Sequence, residues 1–169
     1  MIKKDTIETI GYILLGVFAA YSLNFGLGLA LGTDLPVVAV VSDSMTHDSS
    51  TLERHYEYLQ NNFGYTQEEI NSWPIKDGFF KGDVLVVKGI GKEDLEAGEV
   101  IVYSIQGQST PIVHRIVKIE DGQIITKGDH NPSYDSWKPN EIYGEAVFVV
   151  PYLGWPKLIL TKIWGGIIK

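Results

Sequence analysis

PIVHRIVKIEDGQIITKG, residues 111–128, decides the fold class. Its first nine residues are dominated by β-branched side chains, and Ile124, Ile125 and Thr126 resume the pattern after a break. Asp121-Gly122 supplies the break with two residues that tolerate positive φ, so the stretch predicts a hairpin closed by a tight turn. Outward from it, EVIVYSI (99–105), GDVLVV (82–87) and LPVVAVVS (35–42) repeat the composition between glycine-bearing breaks. Pro36 stands at the start of its run, where a missing ladder donor is tolerated. Residues 146–150 read as one more apolar strand. Strands this frequent, with so few helical stretches between them, predict a mainly β, antiparallel domain and oppose a doubly wound parallel sheet.

Three segments depart from the strand pattern. TIGYILLGVFAAYSLNFGLGLALGT (9–33) contains 25 residues without an Asp, Glu, Lys, Arg or His. At about 1.5 Å per residue a helix of that length crosses the roughly 30 Å hydrocarbon core. It also exceeds the apolar region of a cleaved leader, so a retained span is expected. Asn24 is its one awkward residue, and Gly26 and Gly28 beside it permit close approach of another helix. Lys3 and Lys4 precede the span, which predicts a cytoplasmic N-terminus and an extracytoplasmic remainder. SSTLERHYEYLQNNFGYTQEEINSW (49–73) predicts two short helices. Ser49 or Ser50 caps the first, which sets Leu52, Tyr56 and Leu59 on one face. Thr66 and Glu69 form a capping box for the second, and Trp73-Pro74 ends it. This insertion is expected to dock on the β domain through its aromatic residues and to be dispensable to the fold. The tail carries Pro151, Pro156, Lys157, Lys162, Lys169 and two tryptophans among apolar residues, the character of a segment lying in a membrane surface. The expected organisation is therefore a stub and span over 1–33, a β domain over 34–150 with the 49–73 insertion, and a membrane-associated segment over 151–169.

Charge narrows the functional classes. Residues 34–145 hold nine basic against nineteen acidic side chains, while 146–169 hold three basic and none acidic. An acidic middle argues against a nucleic-acid surface. With Cys 0 there is no disulfide framework, thiol nucleophile or cysteine-bound metal.

The chemistry-bearing residues fall in three places. SDSM (42–45) sets Ser42 and Ser44 at the end of an apolar run about ten residues beyond the span. His114 lies within a strand, where an inward imidazole requires a polar partner, and alternation sends Arg115 to the opposite face. TKGDHNPSYDSW (126–137) adds Asp129 and Asp135 in a polar turn. Each residue alone also fits a turn, a cap or a satisfied core histidine. Together, Ser44, His114 and one of the aspartates supply the nucleophile, base and orienting carboxylate of acyl transfer. Lys118 and Lys127 are the alternative bases, each needing burial to titrate near neutrality. His47 and His130 are flanked by acids but lack ligand spacing, so neither a metal nor any other cofactor is expected.

On these residues the chain resembles the type I signal peptidases of archaea and of the endoplasmic reticulum. SDSM is similar to the family's Ser-x-Ser-Met motif, KGDVLVV to its Gly-Asp strand, PIVHRIV to its histidine motif, and TKGDHNPSYD to its Gly-Asp block with a second aspartate six residues on. The sequence departs from the pattern at His47, where the family often has Pro, at His130, where it commonly has Asn, and in the long 49–73 insertion. The resemblance implies a membrane-anchored β catalytic domain, Ser44 as nucleophile and His114 as base. It makes Asp129 and Asp135 important acids, with Asp135 the one that orients histidine. It also implies partners: signal-peptide-bearing preproteins, the lipid bilayer of the cell membrane, and a secretion channel or accessory membrane subunits. A noncatalytic anchored scaffold and a Ser-Lys processing peptidase are the alternatives. The position of Asp129 directly after Gly128 further suggests a carboxylate that accepts backbone N–H bonds and holds the turn.

Overall fold

A computed structural model describes residues 4–167, with side chains to residue 162. Lys3 and Lys169, which bear on orientation and on the basic tail, lie outside the described residues. The chain opens with helix α1, Lys4–Leu31, followed by strand β1, Val37–Ala39, and helices α2, Ser49–Phe63, and α3, Gln67–Ser72. Strands β2, Val84–Lys88, β3, Val100–Ser104, β4, Ile112–Glu120, β5, Gln123–Lys127, and β6, Glu141–Val150, come next, and helix α4, Trp155–Ile167, closes the chain.

The six strands form one sheet in the order β1-β2-β6-β3-β4-β5, every neighbouring pair antiparallel. The hairpin read from residues 111–128 is β4 and β5, and its turn has φ 51° at Asp121 and 72° at Gly122. β1 is shorter than its apolar run, because the chain leaves the sheet after Ala39 to carry Ser42 and Ser44. β6 is twice the length of the apolar run at 146–150. Glu141 and Glu145 interrupt the apolar pattern there, yet the segment still pairs with both β2 and β3. Gly144 (φ 152°) lies so close to Lys88 that an added Cβ would sit 2.2 Å from its carbonyl oxygen, so the strand crossing requires glycine.

Alternation divides the core. Val40, Met45, Phe79, Leu85, Val87, Val100, Val102 and Ala146 form one buried cluster, while Leu95, Ile101, Tyr103 and Ile116 form another. A third joins Leu59 of α2 and Ile70 of α3 to Val117 of β4. That third cluster docks the insertion through buried aliphatic residues in addition to its aromatic ones. The face of α2 that faces the protein is Thr51, His55 and Leu59, four residues apart, with Leu52 and Tyr56 only half buried beside it. The helix cap also differs from the expected serines. Asp48 is the N-cap, accepting from the backbone N–H of Ser50 and Thr51 at 2.9 Å, while Thr51 Oγ1 accepts the Asp48 N–H at 3.0 Å. The second box forms as read, with Glu69 Oε2 accepting the Thr66 N–H at 2.7 Å and Thr66 Oγ1 the Glu69 N–H at 3.2 Å.

α1 is the one helix among the described residues long and apolar enough to cross a membrane, and its side chains are exposed along nearly its whole length. It is consistent with a single membrane anchor. Its end is fastened to the sheet: the Gly89 N–H donates to Leu31 O at 2.8 Å and Thr33 Oγ1 to Tyr143 O at 2.6 Å. A Cβ on Gly89 would lie 2.0 Å from the Gly32 carbonyl oxygen. α4 begins with Pro156 in its first turn, where a proline is tolerated, and its 13 residues reach about 20 Å, short of the hydrocarbon core. Asp83 secures its approach, with one carboxylate oxygen on the Phe80 N–H at 2.8 Å and the other on the Tyr152 N–H at 3.0 Å.

Candidate active site

Leaving β1, the backbone turns at Ser42–Met45 and is held there from two sides. The His130 N–H donates to Ser44 O at 2.8 Å, and the Phe79 N–H donates to Met45 O at 3.1 Å. Met45 is fully buried, and its Sδ accepts the Asp129 N–H at 3.4 Å. Gly128 is required against this turn, since a Cβ there would meet Ser44 O at 2.8 Å. The 128–130 turn therefore fixes where the serine stands. Ser44 Oγ lies 3.2 Å from Ser42 Oγ. Among the described residues no hydrogen bond joins Ser44 Oγ to His114.

His114 stands opposite Ile101 in the β3–β4 ladder and is buried. Its Nδ1 lies 2.7 Å from Asp135 Oδ2. The same oxygen accepts Thr126 Oγ1 at 2.6 Å and Tyr103 OH at 3.1 Å, and Trp137 Nε1 donates to Tyr103 OH at 3.2 Å. Burial pushes the Tyr103 phenol well above its ordinary value, so it acts as a neutral donor. The Asp135 N–H bonds Thr126 O at 2.8 Å, which anchors the loop to β5. The three contacts converge on Oδ2 and so fix the carboxylate beside the ring. His114 Nε2 has no protein partner among the described residues. Ser44 and His114 line one cleft of about 450 Å³, with the β1 segment on one side and Pro111–His114 and Trp137 on the other.

Asp129 belongs to a separate constellation. Arg115 leaves β4 on the face opposite His114, as alternation predicts, and forks onto Asp129 with Nε at 3.0 Å and Nη2 at 2.7 Å. The guanidinium is fixed by the carbonyl oxygens of Pro74, Ile75 and Gly98. His47 Nε2 lies 2.9 Å from Asp129 Oδ2, and His55 Nδ1 lies 3.8 Å from Oδ1. Burial raises the Asp129 pKa, but the Arg115 charge and the hydrogen bonds from His47 and Arg115 outweigh it and hold the carboxyl well below the usual range. Burial dominates at His55 and pushes its pKa down to about 4, leaving the ring neutral. The expectation that Asp129 collects backbone N–H bonds is thus corrected: its carboxylate takes side-chain partners, and its own N–H goes to Met45.

The two lysines are elsewhere. Lys127 is buried, pushed down to about 8 by that burial, and Nζ donates to Gly128 O at 2.9 Å and Asp129 O at 3.1 Å. Lys118 pairs with Glu120 at 2.9 Å. Neither lines the cleft.

Of the four residues singled out from sequence, the fold brings Ser44 and His114 to one cleft, binds Asp135 to His114, and sets Asp129 behind the serine turn. Sequence reasoning missed Tyr103, Thr126 and Trp137 around Asp135, and His55 behind Asp129. Two signals were present. Tyr103 shares its strand face with Ile101, and His55 sits four residues from both Thr51 and Leu59.

No family model matches the chain. It is 26% identical over 159 residues to the signal peptidase complex catalytic subunit SEC11C of Homo sapiens and to that of Canis lupus familiaris, covering 86% of this chain and 67% of each relative. It is 28% identical over 106 residues to the signal peptidase complex catalytic subunit sec11 of Pyrenophora tritici-repentis, covering 54% of this chain and 61% of the relative. Over most of its length, the chain is homologous to catalytic subunits of the eukaryotic signal peptidase complex.

Proposed function

We propose that the protein is a membrane-anchored serine endopeptidase that removes signal peptides from secreted preproteins. Ser44 is the nucleophile, His114 the general base, and Asp135 the carboxylate that orients it. The observation that carries this reading is the 2.7 Å contact between His114 Nδ1 and Asp135 Oδ2 at a cleft that Ser44 also lines. With Nδ1–H committed to a carboxylate, the lone pair of Nε2 is the one free to take the Ser44 proton. Ser44 Oγ attacks the scissile carbonyl, His114 receives its proton and returns it to the leaving amine, and water then hydrolyses the acyl-enzyme. Contact between Oγ and Nε2 tightens when substrate fills the cleft. The Ser44 backbone N–H serves the developing oxyanion, with Ser42 as second donor. One such donor is worth about 3 kcal/mol of transition-state stabilisation.

β1 is an outer strand of the sheet, so an extended preprotein adds to its unpaired side. Small side chains before the scissile bond enter the apolar cleft beside Val38 and Val40. The similarity to SEC11 subunits supports the substrate class and the archaeal or endoplasmic-reticulum type, and also implies accessory membrane subunits or a secretion channel as partners. Residues 1–33 anchor the protein in the cell membrane, 34–150 form the extracytoplasmic catalytic domain, and 151–169 lie along the membrane surface. Lys127, tied to two carbonyl oxygens outside the cleft, is poorly placed to replace His114.

The test is cleavage of a preprotein with small residues before the cut by the full chain in detergent. Release of the mature product, lost in both Ser44→Ala and His114→Ala, supports the reading. Absence of cleavage by the unaltered chain makes it a scaffold, and near-normal cleavage by His114→Ala revives a lysine base.

A further inference from the structure

The structure assigns to His47, His55 and Asp129 a binding site for a divalent transition-metal ion of the zinc type. The three residues come from the serine turn, the inserted helix α2 and the turn after β5, and one ligand atom from each lies within 4.8 Å of the others. Their side chains are 7%, 2% and 0% exposed. His55 Nδ1, the atom turned toward Asp129, is buried without any hydrogen-bond partner, a state that costs free energy unless something fills it. Ligands on a tetrahedral ion with bonds of about 2.0 to 2.1 Å stand roughly 3.3 Å apart. His47 Nε2 stands 2.9 Å from Asp129 Oδ2 and His55 Nδ1 3.8 Å from Oδ1, so each imidazole meets its own carboxylate oxygen within about half an ångström of that spacing.

An ion between them is held by the lone pairs of His55 Nδ1 and His47 Nε2, each ring carrying its proton on the other nitrogen. Access exists: a cavity of about 270 Å³ lined by Thr51, His55, Asp129, His130 and Asn131 reaches the cluster. Water in that cavity completes the coordination. The position of Arg115 fits a supporting role, since its fork holds the carboxylate in place. Its charge and that of Lys127 oppose a dication, so the ion is held more weakly than in closed structural sites. Two imidazoles select Zn²⁺, Ni²⁺ or Co²⁺ over Mg²⁺ and Ca²⁺, which prefer oxygen. The site departs from the sequence expectation because His47 meets His55 of the insertion. His130 instead turns its Nδ1 to the carbonyl oxygen of Thr46 at 3.4 Å. A bound ion would fasten α2 to the turn whose next residue, His130, holds Ser44 O.

The experiment reads metal and is independent of turnover. The full chain in detergent, stripped with a chelator, is titrated with Zn²⁺ by calorimetry and with Co²⁺ by visible absorption. Expected are one saturable equivalent of Zn²⁺, a Co²⁺ spectrum of a nitrogen-and-oxygen ligand set, a raised melting temperature, and no response to Mg²⁺. His47→Gln and His55→Gln should each weaken Zn²⁺ binding at least tenfold. Should either variant fold poorly by circular dichroism, the nitrogen chemical shifts of the histidine rings in the unaltered chain decide, with those of His47 and His55 moving as Zn²⁺ is added. No saturable Zn²⁺ uptake, equal uptake by folded variants, or unmoved His47 and His55 shifts would overturn the assignment.

Discussion

On the proposed mechanism Ser44, His114 and Asp135 act as one unit, so each deletion is expected to cost most of the rate. Asp135→Asn removes the charge that stabilises the imidazolium and is expected to lower turnover on the order of 10⁴-fold with the melting temperature nearly unchanged. Asp129→Asn strips Arg115 of its counter-charge beneath the serine turn, so stability and activity should fall together. Parallel melting curves and cleavage rates check the pair, and an inactive but stable Asp129→Asn beside an active Asp135→Asn would exchange the roles. Lys127 gives a pH signature. Its folded pKa, about 8, lies below the ordinary 10.5, so between those values the unfolded chain binds more protons and stability rises with pH. Below about 8 both states are protonated and the gain is absent. Denaturant midpoints measured from pH 8 to 10 should climb in the native chain, and the climb should shrink in Lys127→Met. The proposed reacting residues stand out in sequence through their combination in motifs that resemble a known family, since each alone fits a turn, a cap or a core histidine. Tyr103 and Trp137 do not stand out, because aromatic residues in a strand look like core until their hydroxyl and ring N–H acquire partners.

At the scale of elements, the hairpin of β4 and β5 was readable from its turn dipeptide, whereas the extent of β6 was not. Its glutamates face partners three and four strands earlier in the chain, and only the completed sheet sets Ser104 opposite Glu141 and Lys88 opposite Glu145. The inserted helices were readable as helices, the second from its capping box, but the buried face of the first was not, because Thr51 and His55 join Leu59 there in place of Leu52 and Tyr56. Leu59→Ala tests that attachment. Leu59 is fully buried, so truncation should cost about 2 to 5 kcal/mol of unfolding free energy in denaturant titration. A loss below about 0.5 kcal/mol would mark the insertion as a solvated excursion after all.

For the molecule as a whole, the acidic sheet domain is expected on the extracytoplasmic side. Ser109 lies in the exposed turn between β3 and β4, so a Ser109→Cys label should react with an impermeant reagent in sealed cells. Labelling only after permeabilisation would reverse the orientation. The fastening of α1 at Gly89 adds a mechanical corollary. A helix of 28 residues is a lever about 42 Å long, and its joint to the sheet, with backbone against backbone, has no slack to absorb a change of angle. Helices tilt to match the local bilayer, so a thinner membrane swings the cleft along with the lever. Vesicles of short-chain and long-chain lipids should then yield mature products that start at different residues of the same preprotein, read by mass spectrometry, while identical termini would reveal a hinge. Lipid thickness thereby becomes a dial on where the cut falls, turned without altering one residue of the cleft.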